Sequence, residues 1–254
     1  MPHWLRPEWS AVAGVQALST TRAGGSSHAP YASLNLGAHV GDDAAAVQAN
    51  RERLRAAAAM PAEPVWLTQV HGTLVADLDG TGSAPDIAAD AAVTSQPGRI
   101  CAVMTADCLP VLLAARDGAA VAAAHAGWRG LAAGVIEATL QALRRKIPSG
   151  ASIQAWLGPA IGPTHFEVGA EVRAAFLDQD RAAECAFKAN AQSRWHCNLY
   201  ALARQRLHAQ GVTSISGGDF CTYAEEQLFY SHRRDVQHRG LPGTGRMATL
   251  IWRT

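Results

Sequence analysis

Between Met104 and Gly130 the chain reads MTADCLPVLLAARDGAAVAAAHAGWRG, two short apolar runs separated by Arg116, Asp117 and Gly118. Asp-Gly between apolar runs is a hairpin signal, so Pro110 to Ala115 and Ala119 to Ala124 are expected to pair as short buried strands. Cys108 precedes the first strand and His125 follows the second. Pairing of the two strands therefore brings a thiol and an imidazole to the same end of a sheet. A free cysteine ordinarily behaves as a small buried hydrophobe. Here Asp107 beside it and the run HAGWRG after the second strand gather polar groups where both strands end.

The rest of the chain supplies a scaffold for this hairpin. Its 254 residues suffice for one large core, and no repeat or linker divides them, so a single domain spanning 1–254 is expected. Val15 to Leu18, Pro64 to Val70, Thr73 to Leu78, Ala91 to Thr94, Arg99 to Thr105, Ser152 to Leu157, Val212 to Ile215 and Met247 to Trp252 read as further strands. Helices are expected from Ala44 to Ala59, capped by Asp42 or Asp43, from about Gly130 to Lys146, up to about Leu177, and from Leu199 to Gln210. Strands and helices interleave without a strict βαβ rhythm, which predicts an α/β (α+β) fold with mixed sheets flanked by helices.

Charge and cysteine usage exclude several classes. A net charge of +1 with scattered arginines offers no phosphate-backbone footprint, so nucleic acid is not an expected partner. The N-terminal stretch lacks an apolar signal-peptide core and no apolar run reaches membrane-spanning length, which predicts no membrane association and a cytoplasmic location. Five cysteines without CxxC spacing argue against a disulfide framework and a zinc ribbon. No partner chain is suggested, and a monomer is expected.

His71 ends the strand predicted from Pro64, so two imidazoles and a thiol, His71, Cys108 and His125, sit at predicted strand ends. Three N/S ligands with an open fourth position is the pattern of catalytic zinc. Copper fits less well, because a blue-copper site needs an axial ligand and coupled copper needs many more imidazoles. Two other readings stand beside these: a Cys108 nucleophile with His125 as its base, and a structural zinc site without catalysis. Arg129 at the start of the helix after HAGWRG is a candidate anion holder. Arg22, Asn35 and Gln69 are candidate substrate-binding side chains, the first two in Gly- and Ser-rich loops and the third sharing the strand face of His71. Asp86 and Asp90 read as loop carboxylates.

QVHG at 69–72, TADCLPV at 105–111 and HAGWRG at 125–130, with SLNLG at 33–37, GPAIG at 158–162, FEVG at 166–169, GGDFCTY at 217–223, SHRRD at 231–235 and TGRMA at 244–248, resemble the YfiH family, formerly named polyphenol oxidase or laccase-domain proteins. The likeness spans essentially the whole chain. It implies a zinc enzyme that phosphorolyses adenosine, inosine, guanosine and methylthioadenosine and deaminates adenosine, with purine nucleosides and phosphate as its partners. It implies zinc ligands at His71, Cys108 and His125, a link to peptidoglycan precursor editing, and a fold similar to that of a Cys-His toxin deamidase. Asn198, His232 and a longer loop between Asp235 and Gly245 depart from the family pattern, and Asp107, Glu167 and Asp219 are candidate general acids.

Overall fold

The computed structural model describes residues 4–9, 12–80 and 87–254. Asp86 lies outside the described residues. In chain order the elements are β1 (Val15–Ser19), α1 (Ala44–Ala57), β2 (Val75–Asp77), β3 (Ala91–Thr94), β4 (Ile100–Thr105), β5 (Leu109–Ala115) and β6 (Val121–Ala126). They continue with α2 (Trp128–Ala133), α3 (Val135–Arg144), β7 (Ile153–Leu157), β8 (Glu167–Val168), α4 (Ala170–Leu177), β9 (Phe187–Ala189) and β10 (Trp195–Cys197). The last are α5 (Leu199–Ala209), β11 (Ser214–Gly217) and β12 (Met247–Arg253). Among the described residues no helix is long and apolar enough to cross a membrane.

The hairpin predicted from the apolar runs is the centre of a six-stranded mixed sheet in the order β11-β7-β5-β6-β3-β2. Side-chain alternation divides its residues between two cores. Leu109, Val111, Leu113, Ala122 and Ala124 face Leu131, Val135, Ile136, Leu140 and Leu143 of α2 and α3. Leu112, Ala114, Val121 and Ala123 face Cys101, Val103 and Ile251, which belong to a second sheet of order β1-β12-β4. Helices, sheet and sheet therefore form three layers, with both faces of β5 and β6 buried. This is why those strands read as unbroken apolar runs. Burial of each Leu or Val contributes about 1.5–3 kcal/mol. A small antiparallel sheet, β8-β10-β9, adds Val168, Phe187 and Cys197 to the core on the helical side.

Several expected boundaries shift. Pro64 to Val70 forms no strand and makes only isolated bridges at Val65 and Thr68. Gln69 takes the place of a ladder: its amide accepts from the Met104 N–H at 2.7 Å and donates to the Met104 carbonyl at 2.8 Å. The single helix expected over 130–146 begins at Trp128 and is broken by Gly134, which stands at φ 100°, a conformation that glycine adopts without a Cβ penalty. Asp43 caps α1 by accepting from the Ala45 and Ala46 amides, while Asp42 is spent on the Asn35 side chain.

Chain topology delivers the polar strand ends to one place. β5 pairs with β6 so that Pro110 faces His125, and β3 pairs with β6 so that Ala91 faces Ala124. Asp90, just before β3, is thereby set beside His125, whose N–H donates to the Asp90 carbonyl at 2.7 Å. Cys108 lies where the chain passes from β4 in one sheet to β5 in the other. Asp107 makes that crossing at φ 94°. A non-glycine residue in this region costs about 1–3 kcal/mol, and such strain gathers at functional sites. The Asp107 carboxylate holds the crossing by accepting from Thr222 Oγ1 and from the Arg233 N–H, both at 2.7 Å.

Candidate metal centre

His71, Cys108 and His125 converge, with their ligand atoms all within 4.8 Å of one another. His71 Nε2 lies 3.9 Å from Cys108 Sγ, and the two imidazole rings stand edge to face at 74° with centroids 4.8 Å apart. Tetrahedral zinc with bonds of about 2.3 Å to sulfur and about 2.0–2.1 Å to nitrogen separates its ligand atoms by roughly 3.3–3.6 Å. The trio is open by little more than this, within reach of side-chain rotation, and its N,N,S donor set suits a borderline-soft cation. His125 is buried, Cys108 partly exposed and His71 exposed, so one side faces solvent. A three-ligand set open on one side is the catalytic rather than the structural arrangement.

Two carboxylate contacts aim the ligands. His125 Nδ1–H donates to Asp90 Oδ1 at 2.8 Å, which leaves Nε2 as the nitrogen that faces the trio. The same carboxylate accepts from the backbone N–H groups of Val70, His71 and Gly72 at 3.2, 2.9 and 2.7 Å. It therefore fixes the turn that carries His71, itself at φ 61°. Asp90 is fully buried, and a buried carboxylate persists only when its lone pairs are met. Burial pushes its pKa up, but the His125 hydrogen bond and the Gly72 and His71 amides outweigh this and hold it below its ordinary value. Around Cys108, burial likewise raises the thiol, and the charge and hydrogen bond of His125, with His71, bring it well below its usual range. A lowered thiol is already a metal ligand in the making.

Gly127 supplies the room. A Cβ at this position would stand 2.9 Å from Cys108 Sγ and 3.0 Å from His71 Cδ2. Its backbone, at φ −61° and ψ 156°, is open to any residue, so the requirement is space alone. Gly127→Ala is expected to weaken binding of a metal ion offered to the trio roughly tenfold or more while costing the fold about 1–3 kcal/mol of overpacking. A competition titration with a chromophoric chelator measures the first and denaturant unfolding the second.

The trio lies in the wall of a cavity of about 350 Å³, also lined by His39, Gln69, Asp107, Trp128, Phe166 and His232. Arg129, Arg233 and Arg246 line it too, beside one carboxylate, Asp107, whose oxygens are already engaged; the Arg233 guanidinium donates to the Glu167 carbonyl and that of Arg246 to the Thr244 and Gly245 carbonyls. Burial first, and the Arg246 charge second, lower the pKa of both His39 and His232. Arg129 is exposed at the mouth, its guanidinium 4.5 Å over the Trp128 ring.

The other expected substrate residues are differently placed. Gln69 reaches the cavity wall, but both ends of its amide are held by Met104. Arg22 donates to the Ala32 and Glu226 carbonyls and packs over Tyr230, and it is not part of the cavity wall. Asn35 is buried and bonded to Gly37, Asp42 and the Arg246 N–H, so it braces the residue that does line the cavity. Asn198 caps α5 through the Ala201 amide. Glu167 is tied to Asn190 and Arg194, and Asp219 lines a different cleft. Arg233 and Arg246 fall inside the SHRRD and TGRMA stretches without a cavity role being read for them, and Asp90, read as a loop carboxylate, stands immediately before a strand with no exposed residue.

A mixed-sheet α/β protein with a His-Cys-His group that could hold a metal ion, set in the wall of a cavity lined by three arginines, is the class that fold and site define. The chain belongs to the family whose model is described as multi-copper polyphenol oxidoreductase laccase, which matches residues 16–254. It is 53% identical over 252 residues to the Shigella flexneri protein named purine nucleoside phosphorylase YfiH, with 99% of each chain covered. It is 50% identical over 253 residues to a purine nucleoside phosphorylase of Pseudomonas aeruginosa, again with 99% of each covered. A Neisseria meningitidis protein of known crystal structure superposes with a TM-score of 0.88 at 45% identity, covering 98% of both chains. These relatives bear out the YfiH resemblance and the mixed α/β fold. The family description and the relatives' names point to different chemistry. Among the described residues one three-ligand group is present, whereas coupled copper needs ligands for several ions.

Proposed function

We propose that this chain is a zinc-dependent purine nucleoside phosphorylase that acts on adenosine, inosine, guanosine and methylthioadenosine and also deaminates adenosine. The observation that carries the reading is the convergence of His71, Cys108 and His125 in the wall of a cavity whose remaining charge is cationic. The names of the relatives support it. His71, Cys108 and His125 would hold the ion, and zinc bound there would supply Lewis-acid charge and a lowered water pKa at the open side.

The chain's own residues do the rest. Asp90 keeps His125 in the tautomer that presents Nε2 and keeps the His71 turn in place. Arg129, Arg233 and Arg246 set a positive field for phosphate, the nucleophile that replaces the purine at C1′ of the ribose. Trp128 and Phe166 offer aromatic faces to the purine. Deamination at C6 needs no phosphate, so the two activities depend differently on the arginines. Arg129→Ala is expected to lower phosphorolysis by about 1.5–3 kcal/mol of transition-state stabilisation, roughly 10- to 150-fold, with deamination changed far less. Parallel assays of adenine and inosine release from adenosine check this, and equal loss of both would remove Arg129 from the phosphate site.

A second reading rests on one specific contact. Asp90, His125 and Cys108 stand in the carboxylate, imidazole, thiol order of a nucleophilic triad. His71 separates the two readings, because a triad does not use it and a three-ligand centre does.

A further inference from the structure

GPAIG and GGDFCTY meet at a second cysteine that the metal centre does not use. Ala160 bridges to Cys221, and the Gly162 N–H donates to Cys221 Sγ at 3.2 Å. His165 Nδ1 lies 3.4 Å from the same sulfur, and its ring is stacked on Tyr223 with centroids 4.5 Å apart. Tyr223 is itself held by its hydroxyl to His238 Nδ1 at 2.9 Å. Thr164 Oγ1 lies 3.0 Å from His165 Nδ1, and the Cys221 N–H donates to Glu225 Oε1 at 2.6 Å. Gly162 leaves room for the approach, since a Cβ there would crowd the sulfur at 3.1 Å. Cys221 is partly exposed and lines an open cleft of about 520 Å³ with Arg204, Asp219 and Glu225. No residue of that cleft lines the cavity of the metal centre.

A thiol with an imidazole in reach, a backbone N–H on its sulfur and an opening to solvent is the environment of a reactive rather than a packing cysteine. We propose that Cys221 is a second nucleophilic thiol, a modification site for hydroperoxides, with His165 as its base. The sulfur attacks one oxygen of hydrogen peroxide, the O–O bond breaks and an S–O bond forms. His165 accepts the thiol proton and passes it to the departing hydroxide, which leaves as water. Sulfur is oxidised to the sulfenic acid and peroxide is reduced. The neighbouring Thr222 donates its hydroxyl to Asp107, so one hydrogen bond joins the chain neighbours of Cys221 and Cys108.

Cys185 is the internal control: it is more exposed than Cys221, and its thiol hydrogen-bonds to the Ala182 carbonyl rather than to an imidazole. The protein is treated with hydrogen peroxide in the presence of dimedone, and adducts are quantified at each cysteine by peptide mass spectrometry. Cys221 is expected to label at least about tenfold faster than Cys185, and His165→Gln to bring Cys221 down to the rate of Cys185. Labelling of Cys185 at the same rate or faster overturns the proposal. So does a folded His165→Gln variant in which Cys221 labels at its original rate. If that variant does not fold, the ratio of the two cysteines in the unaltered protein decides alone.

Discussion

Cys108→Ala is expected to lose bound zinc and phosphorolysis together. The substitution removes the only sulfur of the trio and leaves two imidazoles whose ligand atoms lie within 4.8 Å of each other. Loss of an outer contact to a ligand weakens metal binding about 10- to 100-fold, and loss of a ligand should exceed that. Cys108 alone does not discriminate, because a thiol nucleophile would also be lost. His71→Ala does. The His71 imidazole stands 3.9 Å from the sulfur and takes no part in the His125–Asp90 hydrogen bond, so a Cys-His-Asp relay gives it no task. The metal reading predicts that His71→Ala falls with Cys108→Ala in both zinc content and turnover. The triad reading predicts that His71→Ala keeps its activity and that Cys108→Ala loses activity with metal content unchanged. Metal analysis by mass spectrometry beside a phosphorolysis assay on both variants reads all four quantities.

Asp90→Ala is expected to have the second largest effect, on folding and metal binding at once. It leaves His125 Nδ1–H and the amides of Val70, His71 and Gly72 without their acceptor. Breaking a buried, hydrogen-bonded pair costs about 3–5 kcal/mol. Freeing His125 and the His71 turn should cost about 10- to 100-fold in zinc affinity. Asp90→Asn keeps one carbonyl acceptor but turns an NH₂ toward groups that are all donors, so it should recover only part of either loss. Denaturant unfolding and zinc competition measure the two separately. Lowered stability with unchanged zinc affinity would make Asp90 a fold residue only.

The contrast between Cys108 and Asp90 shows where the sequence was readable. The β5–β6 hairpin is local, its strands are buried on both faces, and Asp-Gly marks the turn, so Cys108 and His125 could be brought together from register alone. Asp90 reaches His125 only through the β3–β6 pairing of distant segments, which no local pattern announces. Gly127 matters because two side chains from distant segments, Cys108 and His71, crowd it. The run from Pro64 to Val70 has the composition of a strand, yet Gln69 satisfies the Met104 backbone groups with its side chain, and the ladder never forms. Arg22 and Asn35 sit in loops that resemble ligand-binding segments and are instead consumed, Arg22 by the Ala32 and Glu226 carbonyls and Asn35 by Gly37, Asp42 and Arg246. Arg246, distant in sequence from every ligand, reaches the cavity because β12 begins beside the end of β4.

The central claim is that His71, Cys108 and His125 hold a zinc ion on which phosphate-dependent cleavage depends. The most direct measurement is phosphorolysis of adenosine by protein purified without a His tag, assayed as prepared, after chelation, and after return of zinc or copper. Zinc present at about one per chain, with release of adenine and ribose 1-phosphate that stops on chelation and returns with zinc, is the result expected. Full phosphorolysis by metal-stripped protein, or phenol oxidation that tracks endogenous copper, would contradict it.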